Sequence, residues 1–319
     1  MSEIERPLNV VLRHGSPAHK AYMAKAGAPV VETRAPGFGS DTKDNLKYFG
    51  GKTITDLVFV NRYLGGTAAW HGEHRTSIDH ALKSAMSDPG LEAIIAQYYK
   101  TPITSTMLPS KIEPGPVGPM FYKDDVERNA AQLVAEGAFG THNPDNAVLC
   151  MMLPPGVVLV DGPSPGHQST ETDAEQESRA RHRIVIDDEA ADSKHGLGGY
   201  HGSIHPAGGP KTIYYAVAVY SEGDNGIPAF AEPWKNVVAT HYHELNEART
   251  DPDIEDIIRG GPDSLAGWYS PKQGEIGDIP INVAPSLSLV MQEVKLIDGS
   301  HSVPIQLMWS NKDGGPAEP

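Results

Sequence analysis

His241-Tyr242-His243-Glu244-Leu245-Asn246-Glu247-Ala248-Arg249-Thr250-Asp251-Pro252 is the stretch on which the reading of this chain turns. It closes an apolar-periodic run that begins at Trp234, directly after Pro233. Proline suits the first turn of a helix because its missing N–H would find no partner there anyway. Trp234, Val238 and Leu245 recur at helical spacing, and Asp251-Pro252 ends the run, since the residue before a proline is pushed out of the helical region. On this predicted helix over 234–251, His243 and Glu247 stack about one turn apart on one face, with Glu244 beside them. The pattern is HExxH with its second histidine replaced by glutamate. An imidazole and a carboxylate can bind a metal there, and the neighbouring carboxylate can act on the water that the metal activates.

Acid-rich patterns of this kind are common on solvated helices, where they carry only ordinary surface charge. The Trp, Val, Leu and Ala content of this run speaks against a solvated helix. His241 lies about 200° from His243 around the helix, so it is expected as a core histidine or one that braces a ligand. A second acidic cluster, Gly274-Glu275-Ile276-Gly277-Asp278, follows after a loop and offers a third metal ligand. Asp278 is the preferred donor, Glu275 its rival, and Asp251 a weaker one.

Upstream, Lys211–Tyr220 is the clearest predicted strand, and it leads through a Gly-Asp-Asn-Gly turn into the helix. Strands are also expected over 7–13, 53–61, 147–153, 156–161, 183–186, 286–294 and 303–309. Helices are expected over 73–86, 91–99 and 124–136. Residues 14–45 have no sustained period and read as an extended arm, and 101–119 as a Pro-rich connector. The resulting expectation is an α/β (α+β) fold, a mixed sheet flanked by helices with a zincin-like metal helix. It divides into an N-terminal arm over 1–45 and a metallohydrolase-type domain over 46–319.

Two motif matches fail on chemistry. Gly162-Pro163-Ser164-Pro165-Gly166 fits the G-x-S-x-G elbow of serine hydrolases, but Pro165 has no N–H for an oxyanion. The glycines of His195–His205 lack the third glycine of a dinucleotide fingerprint and follow no convincing strand. They suggest instead a backbone that bends tightly or lies close to a ligand. His201 and His205 are four apart, but no helix is expected there to align them.

With 319 residues the chain can bury a full core. A formal charge of −15 and a pI near 5.3 argue against nucleic acid or an anionic membrane surface as main partner. No apolar stretch is long enough to cross a membrane, and charges stand where a signal peptide would be apolar. The single cysteine, Cys150, excludes an internal disulfide, and its apolar neighbours mark it as a buried, inert thiol. A soluble, cytoplasmic protein is the expectation.

Taken in order, Thr240-x-x-His243-Glu244-x-x-Glu247-Ala248-x-Thr250-Asp251-Pro252, Gly267-Trp268-Tyr269, Gly274–Asp278 and Trp309-Ser310-Asn311 resemble a group of bacterial zincin-like, metallopeptidase-like proteins. These are distantly similar to the plant phosphate-induced, Exordium-like proteins. The group is typically secreted and carries a cysteine soon after GEIGD, where this chain has Ile279-Pro280. The resemblance covers roughly residues 53–311 and implies a metal-dependent, peptidase-like domain.

The expected function is therefore a zinc-dependent hydrolase of the peptidase or amidase class. His243, Glu247 and Asp278 or Glu275 would hold the metal, Glu244 would act as general base, and His201 and Tyr200 would polarise the substrate carbonyl or stabilise the oxyanion. One imidazole with two carboxylates leaves the zinc site formally neutral and a weaker Lewis acid than a two-histidine site. The competing expectation is a non-catalytic binding or assembly protein on the same scaffold. A peptide or amide is the expected partner, and the sequence does not fix the oligomeric state.

Overall fold

A computed structural model describes residues 9–13, 15–25, 42–165, 191–206 and 212–318. Its plan follows from Ala147–Met152, where Val148, Cys150 and Met152 enter one apolar core and Leu149 and Met151 enter another, all fully buried. A strand buried on both faces needs cover on both, which makes a layered α/β arrangement.

The central sheet is mixed and six-stranded, in the order β1 (Val10–Leu12), β8 (Leu197–Ile204), β9 (Ile213–Ala218), β6 (Ala147–Met152), β3 (Asp56–Tyr63) and β4 (Thr104–Ile112). β9, β6, β3 and β4 run parallel, whereas β8 is antiparallel to both β9 and β1. Short two-stranded pieces surround it: β2 (Lys47–Tyr48) with β10 (Trp268–Tyr269), β5 (Met120–Tyr122) with β7 (Val158–Val160), β11 (Met291–Lys295) with β12 (Ser302–Gln306), and β13 (Met308–Ser310) with β14 (Gly315–Ala317).

The described helices are α1 (Pro17–Lys25), α2 (Gly72–Ser87), α3 (Pro89–Ala96), α4 (Lys123–Ala135), α5 (Pro233–Thr250), α6 (Ile254–Ile258) and α7 (Asp278–Val283). Ile78 and Leu82 of α2 and Val238 and Leu245 of α5 fill the core on one face of the sheet. Val126, Ala130 and Leu133 of α4 fill the other. α5 starts at Pro233 and stays buried from Asn236 to Thr250, packed between α2, the sheet strands β8 and β9, and β12. Close approach to the sheet needs Gly199: a Cβ there would lie 2.4 Å from the Val217 carbonyl oxygen and 2.9 Å from Thr240 Cγ2. No described helix is long and apolar enough to cross a membrane.

Four expectations need correction. The connector over 101–119 contains β4, an edge strand; its Pro109 is tolerated because an edge strand has a side that needs no ladder partner. Leu197–Ile204 of the glycine segment is β8, the second strand of the sheet, whose glycines serve close packing, while Gly196 just before it makes a left-handed turn at φ +106°. Within 14–45, read as an extended arm, Pro17–Lys25 is helix α1, and β1, also within 1–45, pairs with β8 of the central sheet. The late strand over 286–294 begins only at Met291, after a 3-10 turn at Leu287–Leu289. The strand expected over 183–186 lies outside the described residues.

Candidate metal centre

α5 projects His243, Glu244 and Glu247 toward a fully buried space closed by β8, β12 and the loop that leads into α7. The spacing along the helix does what was expected of it. His243 Nε2 is 2.9 Å from Glu247 Oε2. β8 adds His201, whose Nδ1 lies 3.2 Å from Glu244 Oε2 and 3.7 Å from Glu247 Oε2. From the loop, Glu275 Oε1 approaches His201 Nε2 at 3.7 Å and Asp278 Oδ1 approaches His243 Nε2 at 3.9 Å.

The ligand ends are held in place. Glu247 Oε1 accepts hydrogen bonds from the backbone N–H of Gly277 and of Asp278, both at 3.1 Å. Gly277 is required here, because a Cβ would stand 2.4 Å from His243 Nδ1 and 2.9 Å from Glu247 Oε1. Asp278 Oδ2 accepts from the Glu275 N–H. Gln306 of β12 donates through Nε2 to the Gly277 carbonyl at 2.6 Å, which leaves its Oε1 to accept from His243 Nδ1 at 2.9 Å. That arrangement puts a proton on His243 Nδ1, and a neutral imidazole so held has its lone pair on Nε2.

The consequence is electrostatic. His243 Nε2 and Glu247 Oε2 stand 2.9 Å apart, and among the described residues neither atom has a hydrogen-bond partner. Among the described residues, His201 Nε2, Glu244 Oε1 and both Glu275 oxygens are also buried without a hydrogen-bond partner. Burial and the charges of Glu247 and Asp278 push Glu244 well above the usual carboxylate range. Burial, then Glu247, Asp251 and Asp278, push Glu275 up in the same way. Asp278 is raised by burial and Glu247, against the pull of the Glu275 amide. Burial brings His201 down to about 4, so it is neutral near pH 7. Among the described residues, the ion-pair contacts of these carboxyls are with histidines.

Such a site lacks positive charge, and a cation would supply it. Two donor sets share Glu247: His243 with Glu244, and His201 with Glu275, with the donor atoms of each set within 4.8 Å of one another. Donors about 2.0–2.1 Å from one tetrahedral ion stand roughly 3.4 Å apart, so side-chain adjustments of a few tenths of an ångström suffice for the closest pairs. These groups draw in Glu275 more readily than Asp278, the reverse of the preference read from the sequence. His201, expected as a polarising group, stands in one of the two groups whose atoms could hold a metal ion.

Tyr200 does not join it. Adjacent residues of a strand point to opposite faces, and Tyr200 packs in the other core, with its ring 6.3 Å from that of Tyr215 and under Lys123 Nζ. Its assignment to the chemistry is withdrawn on that geometry. His205 pairs with Asp256 at 2.8 Å, away from the cluster. His241 is buried as expected, brought down to about 3 by burial, and neither ring nitrogen has a partner. Asp251, the weaker candidate, accepts from the Gly267 N–H at 2.7 Å and keeps Oδ2 unpaired. Burial also holds the Cys150 thiol protonated. Gln306 was missed: a lone glutamine 63 residues from His243 carries no motif.

No protein-family model matches this sequence, and no curated protein matches it either.

Proposed function

We propose that the cluster holds a divalent cation, zinc by preference, and that the chain is a metal-dependent hydrolase of peptide or amide bonds. In this reading α5 is a zincin-like metal helix, in keeping with the resemblance of its motifs to zincin-like proteins. The observation that carries the reading is the buried pair His243 Nε2 and Glu247 Oε2, 2.9 Å apart with neither atom hydrogen-bonded among the described residues. Glu247, His243 and one or both of His201 and Glu275 are the proposed ligands. When bound, the ion supplies a Lewis acid that polarises a carbonyl and makes water nucleophilic near neutral pH.

The chain's own groups do the rest. Gln306 keeps the Nε2 lone pair of His243 available, and the two loop amides hold Glu247 Oε1 so that Oε2 faces inward. Glu244, which burial pushes well above the usual carboxylate range without a cation, would be ionised beside a bound one, and its unpaired Oε1 would then be the acceptor for the proton of water. Hydrolysis adds the hydroxyl to the acyl carbon, breaks the C–N bond, and returns the proton through Glu244 to the leaving amine. His201 Nδ1, beside Glu244 Oε2, orients that carboxylate.

A second reading has support in the complete burial of His201, His243, Glu244, Glu247 and Glu275. The cation would then be a structural staple in a non-catalytic protein. Glu244→Gln separates the two. A hydrolase retains its metal and fold but loses at least about a hundredfold in rate, the usual worth of a positioned general base. Equal turnover of the variant and the parent on every peptide and amide cleaved would remove Glu244 from the chemistry.

A further inference from the structure

Among the described residues, Glu247 alone belongs to both donor sets. Its Oε1 accepts the Gly277 and Asp278 N–H groups, both at 3.1 Å, and so uses both lone pairs of that oxygen. Oε2 has no hydrogen-bond partner among the described residues and keeps both of its own. His243 Nε2 stands 2.9 Å from this oxygen and His201 Nδ1 stands 3.7 Å from it. The two imidazoles come from different elements, α5 and β8. One oxygen can therefore serve an ion on each side.

The donors also exceed what one ion takes. His201 Nε2, His243 Nε2, Glu244 Oε1, Glu247 Oε2 and both Glu275 oxygens are buried, and among the described residues these six atoms have no hydrogen-bond partner. A catalytic zinc ion takes three protein donors and a water, so one ion leaves about half of them unsatisfied. Glu275 groups with His201 and Glu247 and does not fall within the set of His243, Glu244 and Glu247. His201 Nε2 is 3.7 Å from Glu275 Oε1. Buried water could hydrogen-bond to the remaining atoms, but water brings no charge. Glu244, Glu247, Glu275 and Asp278 are four buried carboxyls whose ion-pair contacts, among the described residues, are with histidines. One divalent ion offsets two carboxylates and a second offsets the other two, and a buried carboxylate without such an offset is strongly unfavourable. Protons on two of the carboxyls would offset the charge instead, and then only one ion would bind.

We propose that the centre holds a pair of divalent cations bridged by Glu247 Oε2, the first on the side of His243 and the second on the side of His201 and Glu275. The inference rests on the cation reading above and is independent of hydrolysis. Imidazole with carboxylate suits zinc and manganese(II) alike. The second ion enters beside a like charge, so it binds more weakly than the first and is the one lost on purification. When bound, it supplies a second Lewis acid, or in a non-catalytic protein a second tie between β8 and the donor loop.

Equilibrium dialysis of the full chain as purified, against rising zinc, with elemental analysis of the protein, counts the ions. Two per chain are expected at saturation, the second at least tenfold weaker than the first. His201→Leu and Glu275→Gln should each stop at one, with the tight ion kept. Manganese(II) gives a second readout in the parent alone. Two manganese ions joined by one oxygen couple their spins, which halves the hyperfine spacing of the paramagnetic resonance signal relative to singly loaded protein. Saturation at one zinc overturns the second site and leaves the single-ion reading standing. No bound ion at any concentration removes that reading and the pair with it. Two ions in both variants, or two manganese ions with uncoupled spectra, place the second ion elsewhere and overturn the bridge. If the variants do not fold, the manganese spectrum of the parent decides.

Discussion

Replacing Gln306 by leucine tests the arrangement that prepares His243. Leucine keeps most of the volume but removes the Oε1 acceptor at 2.9 Å from His243 Nδ1 and the Nε2 donor at 2.6 Å from the Gly277 carbonyl. The imidazole is then free to rotate or to move its proton to Nε2, which cannot bind a metal. Partners that orient a ligand histidine are typically worth 10–100-fold in metal affinity, or about 1.4–2.8 kcal/mol. In the metal-free protein, each buried group left unpaired costs about 1–3 kcal/mol of stability. Gln306→Glu keeps an acceptor for His243 and loses only the donor to Gly277, so it should restore most of the affinity. Competition with a chromogenic chelator measures both variants, with circular dichroism as the check on folding. A folded Gln306→Leu protein that binds zinc as tightly as the parent would refute the role of Gln306 and the tautomer inferred from it.

Three further outcomes are expected. Gly277→Ala puts a Cβ 2.4 Å from His243 Nδ1, so it should weaken zinc binding more than Gln306→Leu; equal affinity with the parent would show the loop to be freer than its contacts imply. Glu244, Glu275, Asp278 and Asp251 are held above the usual carboxylate range, chiefly by burial, so the metal-free fold keeps protons that the unfolded chain releases. Their contribution to stability is therefore present at low pH and lost as pH rises. His201 and His241, lowered by burial to about 4 and about 3, act in the opposite sense below about pH 6.5, where the unfolded chain takes up protons that the fold refuses. Above about pH 6.5 only the carboxyls remain, and denaturant melts should show metal-free stability falling with pH and the slope flattening with zinc. Zinc binding near pH 7 should also release protons, visible by calorimetry in buffers of different ionisation enthalpy; zero release would contradict the protons held on the buried carboxyls.

Much of the centre was legible because a helix converts sequence spacing directly into geometry. His243, Glu244 and Glu247 could be placed on one face from their spacing alone, with proline marking both ends. The loop donors were legible as a pair but not in order, since turn geometry decides whether Glu275 or Asp278 reaches inward. β8 was missed because its glycines, which serve the close approach of α5, have the composition of a turn. With β8 unread, the alternation that sends His201 to the cluster and Tyr200 to the opposite core could not be applied. β4 was hidden by Pro109, which an edge strand tolerates. Gln306 is an ordinary strand residue whose importance comes only from what the fold sets beside it.

A cation held among His243, Glu247 and their neighbours would stay with the protein through purification. Elemental analysis of protein purified without added metal, repeated after chelation and zinc titration, measures this directly. About one tightly bound divalent ion per chain is expected, lost in both His243→Ala and Glu247→Ala with the fold retained when the metal-free parent is also folded. A parent that purifies without metal and takes up none on titration, or stoichiometric metal persisting in both variants, would contradict it.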